Sequence, residues 1–169
     1  MALALRPVEP LKPTHALDGF DCGRDSLDRF LIRYARMSQA AGSSLTYVVC
    51  HGETRVVGYY SLCVGAVEHA DAPSRASRGL ARHPIPVMLL ARLAIDQTEQ
   101  GRGLGKALLK DALIRTARAA EIAGIRALLV HAKDDGARHW YDTLDFEPSP
   151  TDPYHLYLLL KDIRAALRR

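Results

Sequence analysis

The sequence predicts an α/β fold in which helices flank a mixed central sheet. First, an apolar segment at residues 87–95 has the character of a buried strand and leads through a glycine-rich turn into an amphipathic helix. Second, another short apolar segment follows that helix at residues 126–131. A right-handed crossover would place this segment parallel to the first strand. Third, Val- and Tyr-rich segments at residues 45–51 and 55–69 precede this unit and are typical of strands.

The part of the chain before this unit predicts an edge strand, a helix and a pair of strands. Prolines confine the edge strand to residues 3–9. A helix capped at Asp25 or Ser26 follows, with apolar residues spaced i, i+3, i+4, i+7 for the core. These residues are Leu27, Phe30, Leu31 and Tyr34. In the strand pair at 45–51 and 55–69, Gly58 and Gly65 indicate bends or bulges.

The rest of the chain predicts a long loop, two more helices and two more strands. Residues 71–86 lack periodicity and form the longest loop, which is basic. The helix after the glycine turn should end with Gly124 as its C′ residue. Asp134 and Asp135 cap a second short helix, strands begin at 146 and 154, and residues 161–169 form a basic helical tail. With no repeat and no linker, the sequence predicts one domain spanning residues 1–169.

Composition limits the class of protein. At 169 residues, 18.6 kDa and 48% hydrophobic residues, the chain can bury one substantial core. The net charge of +4 makes an acidic partner plausible, and most of the 23 basic residues are arginines, which bind phosphate well. A GC-rich genome would explain the arginines equally well. Three cysteines without a C-x-x-C pair suit a reducing cytoplasm, and neither a membrane span nor a signal peptide is expected.

The glycine turn after residue 95 predicts an anion site. A strand that feeds a glycine turn and then a helix leaves backbone N–H groups unpaired beside the positive end of the helix dipole, and phosphate is the expected ligand. A Walker A loop is excluded because Ala107 follows Lys106 where Ser or Thr is needed. The dinucleotide fingerprint would need glycine at Lys106 or Leu108. The pattern present is Q-x-x-G-x-G at residues 100–105.

This loop resembles that of the GNAT (GCN5-related N-acetyltransferase) superfamily, in which it holds the diphosphate of acetyl-coenzyme A. The resemblance implies a GNAT fold whose two parallel strands splay apart. The pantetheine arm would then bond to the backbone of the first strand, as an added strand would. One departure is Gln100, because most GNATs have arginine there.

Tyr141 is the candidate general acid for acetyl transfer. It lies on the helix that follows the second parallel strand and matches the tyrosine of the family's A-x-x-x-Y helix. Transfer from a thioester expels a thiolate, and a tyrosine with a pKa of about 10 can protonate that thiolate while remaining protonated at neutral pH. A tyrosine that only anchors its helix is the alternative. His131 and His139 could compete as acid or base, although a structural role is expected for each.

No carboxylate stands out as a general base. A lysine amine, with a pKa of about 10.4, is almost fully protonated at neutral pH and must be deprotonated before it can attack. An α-amino group, with a pKa of about 7.7, is already partly neutral. An α-amine acceptor therefore demands less of the enzyme.

Five longer segments resemble the toxin branch of the superfamily, the TacT-like acetyltransferases of toxin–antitoxin pairs. They are HALDGFDCGRDSLDRFL, GYYSL, PIPVMLLARLAIDQTEQGRGLG, VHAKDDGARHWYDTLDF and LYLLLKD. The resemblance implies acetylation of the α-amine of aminoacyl-tRNA, which blocks translation, in the cytoplasm. It also implies a homodimer with basic grooves for tRNA, and a ribbon-helix-helix antitoxin.

The same resemblance assigns residues to roles. Tyr141 would be catalytic, and acetyl-CoA, the acetyl donor, would be bound without a metal by two sets of residues. These are Leu93, Ala94 and Ile95, and Gln100, Gly101, Arg102, Gly103, Leu104, Gly105 and Lys106. Candidate contacts to RNA phosphates are Arg75, Arg78, Arg82, Arg92 and Lys133.

Two other functions fit the sequence. The chain could be a GNAT that acetylates a small amine or a protein N-terminus. It could also be a non-catalytic RNA-binding module that keeps the fold. Growth arrest on expression separates the toxin from the first alternative, and thioester turnover separates an enzyme from the second.

Overall fold

The computed structural model describes residues 5–169, and within them seven strands form one mixed sheet. The strands are β1 (Glu9–Pro10), β2 (Leu45–His51), β3 (Arg55–Val67), β4 (Ile85–Ile95), β5 (Ala127–His131), β6 (Glu147–Pro148) and β7 (His155–Leu159). Their order across the sheet is β1-β2-β3-β4-β5-β7-β6. The predicted α/β class with a mixed sheet is confirmed.

Six α-helices are present in the described residues. They are α1 (Asp25–Arg29), α2 (Ala35–Ala40), α3 (Ser74–Ser77), α4 (Leu104–Ala119), α5 (Asp135–Asp142) and α6 (Leu160–Leu167). The chain divides into two compact units. The first contains the residues up to Cys63 together with Ala91–Ala112, and the second contains Val64–Leu90 together with Leu113–Arg169.

The N-terminal helix of the first unit differs from its prediction because a π-helical turn, Phe30–Tyr34, separates α1 from α2. Leu27, Phe30 and Leu31 are buried as predicted, but Tyr34 is 46% exposed and Ala35 is 0% exposed. The wider π turn shifts the helical phase by about one residue, so the residue after Tyr34 faces the core. The predicted cap is also wrong, because Arg24 is the N-cap residue and its side chain does not cap the helix.

A β-bulge in the first unit confirms the irregularity predicted at Gly58. Val49 of β2 pairs with Gly58 and Cys50 pairs with Val56, so Val57 is an extra residue on β3. A Cβ atom on Gly58 would lie 2.8 Å from Cγ1 of Val49, which explains the need for glycine. The carbonyl of Val57 accepts a hydrogen bond of 2.8 Å from the backbone N–H of Asp96. The bulge thus ties the end of β4 to β3.

The edge strand predicted at residues 3–9 is displaced toward the C-terminus. Residues 3 and 4 lie outside the described part of the chain. Leu5 forms an isolated bridge with His51, and only Glu9 and Pro10 pair with β2 as a strand. The strand predicted at 55–69 ends at Val67.

The second unit contains the parallel strand pair. The pairing joins Val87–Leu90 of β4 to residues 127–130 of β5, and β4 then continues to Ile95. Pairing that ends before the strand does is consistent with the predicted splaying of the two strands. β5 also pairs antiparallel with β7, which pairs with β6.

The segment predicted as a structureless loop at residues 71–86 is partly helical. A 3-10 turn at His69–Asp71 and the one-turn helix α3 occupy its first half. Ala76 of α3 is fully buried and belongs to a core cluster with Ile85, Val87 and Tyr157. The guanidinium of Arg126 donates hydrogen bonds to the carbonyls of Arg75, Ala76 and Arg78, which secures the segment.

Helix α4 follows the glycine turn, as predicted, but ends early. It starts at Leu104 and stops at Ala119, and a further turn extends only to Ala123. Gly124 does not have a positive φ, so its predicted role as a left-handed C′ residue is wrong. None of the helices formed by residues 5–169 is both long and apolar enough to cross a membrane.

Candidate active site

The turn between β4 and α4 is held in place by the carboxylate of Asp96. One of its oxygens accepts hydrogen bonds from the backbone N–H and the hydroxyl of Thr98, at 3.0 and 2.7 Å. The other accepts the N–H of Asp21 at 3.0 Å. Burial alone would raise the pKa of Asp96, but the hydrogen bonds from Thr98 and Asp21 outweigh it and hold this pKa below its usual range. Asp96 is therefore an ionised structural anchor.

Gln100 fixes the far end of the same turn. Its side-chain NH₂ group donates one hydrogen bond of 2.8 Å to the carbonyl of Ile95 and another of 2.9 Å to the carbonyl of Cys22. The predicted ligand residue therefore uses its amide donors on the protein backbone. Gln100 shapes the loop, whose own N–H groups remain the candidates for ligand contact.

Gly101 and Gly103 give the loop its left-handed turns. Their φ angles are +79° and +81°, a region that favours glycine. A Cβ atom built on either glycine would meet nothing within 4 Å, so the outer side of the loop is open. The N–H of Ala107 makes an α-helical bond of 3.2 Å to Gly103, which leaves the N–H groups of residues 104–106 without helical acceptors. This geometry fits the predicted diphosphate.

Glu99, in the loop, lies close to two basic side chains. Its buried carboxylate lies 3.5 Å from Arg102 and 3.4 Å from Nδ1 of His51.

The remaining predicted acetyl-CoA contacts differ in exposure. Lys106 is exposed on the first turn of α4. Among the three predicted β4 residues, Ala94 is buried and Leu93 and Ile95 are half-buried.

Sequence reasoning missed Asp96, Glu99 and the contribution of residues 21–22. The role of Asp96 could have been predicted, because Asp followed two residues later by Thr is a common turn and cap pattern. The contacts of Asp21 and Cys22 with this turn join positions 75 to 78 residues apart. No local pattern could have predicted those contacts.

Tyr141 lies on α5 in the second unit. Asp134 caps this helix, as predicted, by accepting the N–H of Ala137 at 2.8 Å. The Tyr141 ring makes edge-on contacts with Trp140 and Phe146, at centroid distances of 4.9 and 5.2 Å. It is 8% exposed, and no residue within 5–169 hydrogen-bonds to its hydroxyl. Burial raises the pKa of Tyr141, so the hydroxyl keeps its proton at neutral pH.

The two histidines that were considered beside Tyr141 lie in different surroundings. His139 is exposed on α5. His131 is the last residue of β5, and its ring stacks on that of His155 with centroids 4.0 Å apart and planes 15° apart. His131 is exposed as a residue, but partial burial of its ring, and then His155, lower its pKa, while Asp152 raises it.

The five candidate RNA contacts fall into three groups. Arg78 and Arg82 are exposed, and so is Lys133. Arg75 bridges the carboxylates of Glu147 and Asp162, at 3.0 Å each. In the first unit, the guanidinium carbon of Arg92 lies 3.6 Å from the centre of the Phe30 ring. Arg75 and Arg92 thus already have partners within the protein, although the Arg75 side chain is exposed.

A glycine loop between a strand and a helix, a parallel strand pair and a helix with a buried tyrosine are the elements that the predicted acyl-CoA-dependent acyltransferase requires. Residues 43–148 match the family model described as Acetyltransferase (GNAT) domain, which covers well over half of the chain. The chain therefore belongs to the GNAT family, as predicted. It is an N-acetyltransferase that takes the acetyl group from acetyl-CoA.

The chain is similar to characterised members of the toxin branch. It is 51% identical over 148 residues to the tRNA-acetylating toxin of Mycobacterium tuberculosis (strain ATCC 25618 / H37Rv), covering 88% of each chain. This similarity confirms the predicted resemblance to the toxin branch.

Two solved structures of AtaT share the fold across nearly the whole chain. AtaT complexed with acetyl-methionyl-tRNAfMet has a TM-score of 0.90 and 29% identity, covering 97% of this chain and 99% of that one. The other is a Tyr→Phe mutant of AtaT, bound to acetyl-CoA and to the C-terminus of the antitoxin AtaR. It has a TM-score of 0.83 and 28% identity, covering 98% of this chain and 99% of that one.

Proposed function

We propose that this chain, as one domain over residues 1–169, is a toxin that acetylates the α-amine of aminoacyl-tRNA and so blocks translation in the cytoplasm. The observation that carries the proposal is the 51% identity with a tRNA-acetylating toxin over 88% of both chains. The glycine loop after β4 supports it, because its geometry fits the diphosphate of acetyl-CoA. An α-amine acceptor also suits a site that needs little help in deprotonation.

The donor would be held mainly by backbone groups. The N–H groups of Gln100, Gly101, Arg102, Gly103, Leu104, Gly105 and Lys106 would bind the diphosphate. The backbone of Leu93, Ala94 and Ile95 would bond to the pantetheine arm, as an added strand does. When bound, acetyl-CoA supplies an activated acetyl thioester. No metal is needed, because the chain's own N–H groups meet the phosphate charge.

Tyr141 would supply the proton that the departing thiolate needs. Its burial and raised pKa keep the hydroxyl protonated at neutral pH, and this hydroxyl makes no hydrogen bond within residues 5–169. The proton is therefore present and not committed to another group, as a general acid requires. The Tyr→Phe mutant of AtaT shows that a tyrosine was chosen for replacement in that toxin.

The experiment that tests the function is mass spectrometry of aminoacyl-tRNAs after reaction with labelled acetyl-CoA. Each of the 20 amino acids is charged onto its tRNA, and the label is expected on the α-amine of at least one. Label on a small amine or a protein N-terminus, with none on any tRNA, would favour the first alternative. No turnover of the thioester with any amine would favour an RNA-binding module.

The exposed basic residues would bind tRNA phosphates. Replacing Arg78 and Arg82 by glutamate is expected to reduce tRNA acetylation. The slope of log K for tRNA binding against log salt concentration should become less steep by about two, one for each lost phosphate contact. Acetyl-CoA affinity should not change. Arg118→Glu, an exposed position on α4, is the matched control. Arg75, Arg92 and Lys133 remain candidates for contacts to RNA phosphates. Full tRNA acetylation by the double variant would remove the first two arginines from the assignment.

The partners in this proposal are an antitoxin and a second copy of the chain. AtaT binds the antitoxin AtaR, which supports an antitoxin for this chain as well. We expect that antitoxin to be of the ribbon-helix-helix type and the toxin to be a homodimer. Expression of the wild type should arrest growth, and co-expression of the neighbouring gene should restore it. Light scattering measures the oligomeric state.

A further inference from the structure

The second unit contains an open cavity of about 510 Å³ that none of the roles above uses. Its apolar lining comes from the sheet and includes Val87, Leu89, Leu129 and Tyr157. Such a volume is typical of small-molecule sites. His131 also lines the cavity. It is the last residue of β5, directly after the final pair of the β4–β5 ladder. Ligands of α/β sheets bind at this end of parallel strands.

The polar lining of this cavity is acidic. Three carboxylates, those of Glu68, Asp71 and Asp152, line it, and no lysine or arginine of the described chain does. One carboxylate oxygen of Asp71 already accepts a hydrogen bond of 2.8 Å from the hydroxyl of Thr151. Asp152 has His155 as a partner at 3.4 Å, but carboxylates with no lysine or arginine among the described lining residues still attract an ammonium group and repel a phosphate. The cavity therefore suits an amine carried on an apolar group, such as the aminoacyl end of a charged tRNA.

The imidazole of His131 is the group in this cavity best suited to receive a proton. Its ring stacks on His155, and Nε2 of His155 lies 3.4 Å from the Asp152 carboxylate. Two stacked rings repel each other when both are charged. Partial burial of the ring first, and His155 second, lower the pKa of His131, while Asp152 raises it; the net lowering favours the neutral ring, which can accept a proton.

The surroundings of His131 also give an accepted proton a way out. The two histidines and Asp152 line a second open cavity of about 460 Å³. The other charged groups that line this second cavity are Lys133, Asp134 and Asp135. Because His131 is exposed, a proton taken from one cavity can pass to solvent without crossing the core.

We propose that the 510 Å³ cavity is the acceptor pocket, that its carboxylates bind the substrate ammonium, and that His131 accepts the proton from the attacking nitrogen. This rests on the proposed function. The bound ammonium first releases one proton to solvent, and the neutral amine that results forms the N–C bond to the acetyl carbon while the C–S bond breaks. The nitrogen proton passes to His131, and the thiolate takes a proton from Tyr141. The products are an amide and a free thiol, and both residues then exchange protons with water.

The first test compares His131→Gln with His139→Gln, in which an exposed histidine on α5 is replaced. The probe is the aminoacyl-tRNA that the wild type acetylates fastest, assayed from about pH 5.5 to 9. We expect His131→Gln to lower kcat by about 100-fold and to leave a shallower fall in rate at acid pH, because only the substrate amine and no longer His131 is then protonated. His139→Gln should behave like the wild type. A His131 variant that keeps the wild-type kcat, or that keeps the wild-type steepness of the acid limb, would overturn the assignment.

The second test uses a readout that does not depend on turnover. His155→Gln removes one of the causes that lower the pKa of His131, so this pKa should rise and the acid limb should move to higher pH. Nuclear magnetic resonance titration of the His131 ring in the substrate-free protein measures the same shift directly. An unmoved titration curve would contradict the coupling between the two rings.

The third test addresses the carboxylates. Glu68→Gln combined with Asp152→Asn should raise the KM for aminoacyl-tRNA about tenfold and leave the affinity for acetyl-CoA unchanged. An unchanged KM would exclude an ammonium site. These outcomes are separable from the function itself. If the wild type acetylates no aminoacyl-tRNA, the proposed function fails. If it does so while the His131 variant keeps the wild-type profile, only this inference fails.

Discussion

The loop between β4 and α4 and the acidic cavity beside His131 are built from different kinds of groups. In the loop, the side chains of Asp96 and Gln100 are used up in holding the backbone, and the groups left for a ligand are main-chain N–H groups. In the cavity, the polar groups are carboxylates and imidazoles that can change their charge. Acetyl-CoA is the same acetyl donor in every turnover, so fixed backbone dipoles suffice to bind it. A step that moves a proton requires side chains that titrate.

The largest effect that separates chemistry from binding is expected from Tyr141→Phe. The variant loses only the hydroxyl proton, so kcat should fall by about 10²- to 10⁴-fold while the affinity for acetyl-CoA stays unchanged. Steady-state kinetics and calorimetry measure the two quantities. Tyr34→Phe makes the same chemical change at an exposed position and should have no effect. Equal kinetics for the two variants would remove Tyr141 from the mechanism.

The next effect tests whether the loop binds through its backbone. Gly103→Ala puts a Cβ atom on a residue with φ +81°, which costs about 1–2 kcal/mol and turns the following N–H groups away. The dissociation constant for acetyl-CoA should rise about tenfold, because a loss of about 1.4 kcal/mol in binding free energy corresponds to a factor of ten. Gly42→Ala is the matched control, because Gly42 has φ +75° and similarly open space. Both variants should lose stability, and only the first should lose affinity. Equal affinities would show that the loop backbone is not the ligand.

A smaller effect concerns the pH dependence of stability. Because hydrogen bonds hold the pKa of Asp96 below its usual range, its ionised form stabilises the fold above about pH 4. That contribution is lost as the pH falls toward the lower pKa of the folded state. Asp96→Asn should therefore lower the free energy of unfolding by about 1–2 kcal/mol at neutral pH and by less in acid. Urea titrations measure this, with the exposed Asp18→Asn as control. A loss that is independent of pH would contradict the assigned role.

The smallest effect is expected on the helix that carries Tyr141. Asp134→Ala removes the cap of α5 and should cost about 1 kcal/mol of stability. Asp142→Ala changes the same residue type at the other end of α5, where a negative charge opposes the helix dipole, so it should be neutral or slightly stabilising. Thermal denaturation distinguishes the two variants. If both were equally destabilised, the cap would have no special role.

Local patterns were sufficient for the elements whose signals lie within a few residues. Strand β2 has the predicted bounds, α4 follows the glycine turn directly, and Asp134 caps α5 as expected. The glycine loop was readable because strand, turn and helix follow one another directly.

Other features depended on contacts that no local pattern encodes. The π turn at Phe30–Tyr34 moved Tyr34 to the surface, although its spacing from Leu27 fits an α-helix. Ala76 is buried among residues of β4, β5 and β7, which orders a segment that lacks periodicity. The stacking of His131 on His155 joins two strands and became visible only in the sheet register. For these features, tertiary packing outweighed sequence pattern.

The side chain of Gln100 explains why an amide can stand where most members of the superfamily carry a guanidinium. What its two carbonyl partners require is a pair of N–H donors on one planar group, and both Gln and Arg possess such a group. A positive charge is not part of that requirement. Glutamate has nearly the same shape but only acceptors when ionised. Its carboxylate would repel the two carbonyl oxygens and destabilise the turn. Substitution at this position is thus governed by donor count, and variation between Gln and Arg need not signal a change of ligand.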